Sequence, residues 1–179
     1  LLTIAGVEGP YVAVGPYVGG HFARVFAGSY PDEVVGLVLV DSLHPDGAMY
    51  RWEIISEVFS PEEIEEDRQR DIEAWARLGL DLETSMAQVA AVDSLGDMPL
   101  VVLTPELWGL GVLDRRLTME IVERWHRVWT DELQPDLATL SANSTLIIIE
   151  GADHRSMLMQ VEVIDAIRQM VEEVRAQED

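Results

Sequence analysis

The sequence predicts an α/β fold: a mostly parallel sheet flanked by helices, interrupted by a helical insertion. Three observations predict it. Short apolar runs at 11–14, 36–41, 99–104 and 145–150 read as buried strands. Helix-length amphipathic segments separate most of them, the pattern of βαβ units. Residues 46–97 break that alternation, being acidic and helical with no convincing strand. The core is therefore expected at 1–45 and 98–179, and the insertion at 46–97.

The elements follow in order. Leu1-Leu2-Thr3-Ile4-Ala5-Gly6 reads as the last turns of a helix ending at glycine. The chain is thus expected to begin inside an element, with further sequence upstream. Tyr11-Val12-Ala13-Val14 is a strand, and 19–30 a helix with Phe22, Val25 and Phe26 on one face. Residues 36–41 form a second strand closing on Asp41. Within the insertion, Ser60-Pro61-Glu62-Glu63 predicts a helix start. Ser60 caps, Pro61 fits the first helical position and Glu63 completes a capping box. That helix runs to about Leu78, with Gly79 beyond it, and a shorter one follows at 84–92. After the strand at 99–104 a long helix is expected over 117–140, with Trp125 and Trp129 in the core. The last strand spans 145–150, the loop Gly151-Ala152-Asp153-His154 follows, and a helix covers 160–176. Val163, Ile164, Ile167, Val171 and Val174 give that helix one apolar face.

Composition narrows the function. The 179 residues hold 33 acidic and 12 basic side chains, a formal net charge of −21. So negative a field disfavours nucleic acid and anionic membranes as partners. All basic residues are arginine, in keeping with a GC-rich genome or, alternatively, a high-salt habitat. Cysteine is absent, and the four histidines show no metal-ligand spacing. No metal or cofactor is expected. No apolar run approaches the roughly 18–20 residues of a membrane helix, and a cytoplasmic location is expected.

The motif that carries chemistry is Gly15-Pro16-Tyr17-Val18-Gly19, directly after the first strand. A nucleophile elbow needs small residues two before and two after its central residue, because backbones pass closely there. Gly15 and Gly19 keep that spacing and Gly20 adds room. The central residue, however, is tyrosine.

The stretch from Ala5-Gly6-Val7-Glu8-Gly9-Pro10 to Val40-Asp41-Ser42 resembles α/β-hydrolase fold proteins. Their pattern is strand, Gly-His-Ser-x-Gly-Gly, helix, Tyr-Pro, then an apolar strand ending in Asp. The resemblance covers nearly the whole chain and matches the carboxyl-terminal part of that fold. It comes nearest to small bacterial hydrolases with a helical cap, here 46–97. It implies hydrolysis of a small ester, amide or related bond. Tyr17 would stand at the nucleophile position, His154 at the base position and Asp41 at the acid position. Glu106 or Asp114 would be the acid where it falls one strand later. The Val18 backbone N–H would be an oxyanion donor, and Pro16, His21 and His44 would line the substrate site. His126 is expected at the surface.

Two departures matter: tyrosine replaces the serine, and proline replaces the histidine before it. The strands that would precede residue 11 and supply a second oxyanion donor are also absent. A phenol, with a pKa of about 10, is a poor nucleophile at neutral pH. The leading expectation is therefore a catalytically impaired or incomplete hydrolase-family protein. The alternatives are an active hydrolase with unusual nucleophile chemistry and a non-catalytic ligand-binding or interaction module. Small-molecule substrates or ligands are the expected partners, with self-association through the exposed edge of the first strand.

Overall fold

In a computed structural model, described for residues 2, 4–107 and 116–178, four strands form one parallel sheet in the order β1-β2-β3-β4. The strands are β1 (Tyr11–Pro16), β2 (Val34–Val40), β3 (Leu100–Leu107) and β4 (Ser144–Asp153). Between β1 and β2 lies α1 (Gly19–Ser29). Three helices separate β2 from β3: α2 (Gly47–Ile55), α3 (Pro61–Arg77) and α4 (Leu82–Ala90). Between β3 and β4 the chain forms α5 (Met119–Arg127), a π-helical segment (Val128–Leu133) and α6 (Gln134–Ala138). A 3-10 turn (Met157–Met159) leads into α7 (Val161–Glu178).

Strand β2 is apolar throughout because both of its faces are covered. Val38 and Val40 pack with Leu103, Ile149 and the α7 residues Val163, Ala166, Met170 and Val174. Leu37 and Leu39 point into the opposite layer, with Ala23 and Ala27 of α1 and Leu137 of α6. Strand β1 pairs with β2 from Tyr11 opposite Val34 to Pro16 opposite Val40. Among the described residues β1 has no second strand neighbour.

Several expectations are corrected. The buried stripe of α1 is Gly20, Ala23, Arg24 and Ala27, while Phe22 is exposed. Small residues face the sheet because the helix lies close to the strand backbone there. On α7, Ala166 and Met170 join the buried face and Ile164 leaves it. Strand β4 runs on through Gly151 to Asp153, so only His154 of the expected loop lies beyond it. The helix expected over 117–140 is interrupted by the π segment immediately ahead of Pro135. Proline has no N–H to continue the ladder, and the wider turn accommodates its ring. The Ser60–Glu63 capping box forms as expected. At the chain's beginning, Gly6 has φ 71° and the Val7 N–H donates to the Leu2 carbonyl, the hydrogen bond of a Schellman turn.

The three insertion helices are attached unequally. Helix α2 is held by a core of Ile54, Ile121, Trp125, Trp129 and Leu133. Helix α3 has no buried residue. Its ties are mostly polar, Asp67 and Asp71 to Arg51, Asp67 to the Trp52 indole and Glu63 to Arg116, with the Trp75 ring beside His21 and Phe22 of α1.

The tightest packing is at the start of α1. A Cβ on Gly15 would lie 2.6 Å from the Gly20 Cα and 2.7 Å from the Gly19 carbonyl oxygen. Neither backbone can yield without moving the helix off the strand. Gly15→Ala is expected to lower unfolding free energy by about 1–3 kcal/mol, measured by urea denaturation.

Candidate active site

Tyr17, Asp41 and His154 each follow the last residue of a parallel strand: β1, β2 and β4. They therefore meet at one edge of the sheet, where sites collect in α/β folds. The turn that presents Tyr17 has the geometry of an elbow. Tyr17 has φ 49°, a left-handed conformation that a bulky residue adopts only under constraint. The constraint is visible. The Tyr17 N–H donates to the Val40 carbonyl, and the Tyr17 carbonyl accepts from Gly20 and Leu43. The Ser42 hydroxyl donates to the Gly15 carbonyl at 2.6 Å, and a Cβ on Gly20 would collide with that hydroxyl. The Gln134 side-chain amide holds the Ser42 carbonyl at 3.0 Å. Val18 is the residue at which α1 begins.

Asp41 shares the left-handed conformation, with φ 47°, and is 4% exposed. Its Oδ2 lies 2.5 Å from Nδ1 of His154. With Nδ1–H donating to the carboxylate, Nε2 is left as the basic nitrogen. Burial pushes the Asp41 carboxyl up, while the hydrogen bond to His154 pulls it back down. The His154 ring rests against the Tyr17 ring, centroids 4.7 Å apart and tilted by 58°. Tyr17 is 47% exposed, and the His154 side chain 46%. Partial burial raises the Tyr17 phenol above its ordinary value of 10, and the Asp41 charge raises it further. The positive charge of Arg51 opposes them in part.

Glu106, the alternative acid, accepts instead from the Gly151 N–H at 2.8 Å. Asp114 lies outside the described residues. Pro16 ends β1 beside the elbow and is exposed. His21 and His44 are not brought to the Tyr17–His154 pair by any hydrogen bond or ring contact. His21 is 3% exposed and faces Trp75, ring centroids 6.2 Å apart. The Asp46 N–H donates to Nδ1 of His44, so its Nε2 carries the proton and donates to Asp136 at 2.9 Å. Both histidines are buried polar groups of the scaffold around α1. His126 is half-buried rather than at the surface, and its Nε2 is covered without a hydrogen bond. Among the described residues, no three His, Cys, Asp or Glu side chains group to hold a metal, and no helix is long and apolar enough to cross a membrane.

Sequence reasoning missed two supporting residues. Ser42 and Gln134 lock the elbow. Ser42 carries the one available signal, a small hydroxyl residue directly after the strand-ending aspartate.

The fold has counterparts among solved structures. The chain has the α/β-hydrolase fold. An α/β-hydrolase enzyme from the sediment metagenome of the Mar Chica lagoon, Morocco, matches 99% of it with TM-score 0.55 and 16% identity. The mouse α/β hydrolase domain-containing protein 10 matches 96% with TM-score 0.54 and 13% identity. A thermophilic esterase matches 97% with TM-score 0.51 and 20% identity. The chain spans 66% of the metagenomic enzyme and 64% of the mouse protein, just under two thirds of each. No protein-family model and no curated protein sequence matches it.

The burial of His21 has a consequence for stability. Burial, then the charge of Arg24 and the neighbouring His44, lower its pKa to about 4 from 6.5. The unfolded chain therefore binds the proton first as pH falls. His21 costs nothing above pH 6.5 and destabilises progressively down to about pH 4, by about 3 kcal/mol at the lower end. The stability difference between wild type and His21→Gln is expected to shift by that amount in favour of the variant between pH 7 and 4. Denaturant titrations at each pH measure it.

Proposed function

We propose that this chain is a hydrolase-fold protein that accommodates a small ester, amide or related compound at Tyr17 and His154, with turnover of the serine type largely lost. The observation that carries the reading is the elbow itself: a tyrosine at φ 49° stands against an Asp–His pair. The base is retained, with Asp41 orienting His154. The Val18 backbone N–H would serve as an oxyanion donor and Pro16 would border the ligand. The helices of 46–97 would act as the cap.

Tyr17 supports the loss of activity in two ways. Its phenol is raised by partial burial and by Asp41, so less than about one molecule in a thousand carries phenolate at pH 7. Its ring also occupies the space beside His154 into which an acyl group would have to fit. The ester class enters by analogy of fold with the thermophilic esterase, and the dyad is what makes the analogy chemical.

Hydrolysis of p-nitrophenyl acetate by wild type, Tyr17→Phe and His154→Ala tests this. All three are expected within about threefold of one another, near the uncatalysed rate. Clear wild-type turnover that disappears in Tyr17→Phe would make Tyr17 a working nucleophile and overturn the reading.

A further inference from the structure

A cavity of about 450 Å³ lies between α2, α3 and the start of α5, and neither Tyr17, Asp41 nor His154 lines it. Its apolar wall includes Ile54, Ile64, Ile121, Val122 and Trp125. Most charges at its rim are matched: Arg51 and Arg70 hold Asp67 at 2.8 and 2.9 Å, and Arg116 holds Glu63 at 2.6 Å, while Glu66 also borders it.

Trp125 lines it and packs on Trp129, ring centroids 5.9 Å apart, within the core that holds α2 to α5.

We propose that this cavity binds an uncharged aryl or branched-alkyl group. Size and charge select that class. Its volume falls within the roughly 300–1,000 Å³ of small-molecule sites, enough for one ring with a short chain. An anion would have to displace Asp67 or Glu63 from its arginine and approach a chain of net charge −21. A cation would lose its hydration against the isoleucine and tryptophan wall, with the Glu66 carboxylate alone outside the matched ion pairs to compensate it. Treating the bound group as the apolar part of a substrate rests on the site reading above; the binding itself needs no turnover.

Calorimetric titration of the full chain with 4-phenylbutanamide, 4-phenylbutanoate and butanamide, at about 0.15 M salt to screen the net charge, tests the assignment. The phenyl amide is expected to bind one-to-one and at least about tenfold more tightly than either the carboxylate or the ring-less amide. Ile121→Phe fills the cavity from α5. Ile64→Trp fills it from α3, a helix without buried residues, where folding is least at risk. Each is expected to weaken the phenyl amide by tenfold or more. Absence of phenyl-amide binding, equal affinity for the carboxylate, or indifference to both filling variants would overturn the proposal. A failed esterase comparison leaves these ratios untouched, and failed binding leaves that comparison untouched.

Discussion

The close approach of Gly15 and Gly20 is the constraint on which the site depends. Neither residue has a Cβ, so α1 begins almost in contact with the end of β1. Only that proximity lets the chain reverse within Pro16-Tyr17-Val18 and hold Tyr17 at a positive φ. Ser42 then wedges against Gly20 and bonds the Gly15 carbonyl. That fixes the end of β2, and with it Asp41, relative to the elbow. The parallel register carries β3 and β4 along, and His154 emerges from β4 against both. Backbone strain at Tyr17 and Asp41 is thus sustained by packing that any larger residue at 15 or 20 would undo.

A second division runs through the molecule, between what apolar burial holds and what charge holds. The sheet, α1 and α7 are fastened by apolar layers on both faces. Helix α2 joins α5 through a smaller core. Helix α3, by contrast, buries none of its own side chains and is held by ion pairs and by the Trp75 ring against His21 and Phe22. Exposed pairs contribute roughly 0–1 kcal/mol each, so α3 is the element most easily lifted. It is also the outer wall of the cavity.

Much of this was legible in the sequence, for physical reasons that also mark where legibility ended. Fully apolar runs such as Val38-Leu39-Val40 fit only a doubly covered strand, and the Ser60–Glu63 box announces its own helix start. Asp41 and His154 were readable because each lies just beyond such a run. Amphipathic faces were less readable. On α1 the buried stripe is Gly20, Ala23 and Ala27, because closeness to the strand favours small residues over large ones and turns Phe22 outward. The π segment depends on how one proline is accommodated within a helix. The hydrogen bonds of Gln134 to the Ser42 carbonyl and of Arg24 to the Val92 carbonyl join segments far apart in the chain. No local pattern encodes either.

The central claim is that Tyr17 keeps the place of a nucleophile but remains a neutral phenol beside a hydrogen-bonded Asp41–His154 pair. The most direct measurement is the ultraviolet titration of its phenolate, taken as the difference between wild type and Tyr17→Phe. The account predicts a midpoint above 10, the ordinary value for tyrosine, because partial burial and the Asp41 charge both oppose ionisation. A midpoint near neutrality, with phenolate absorbance already present at pH 7, would contradict it.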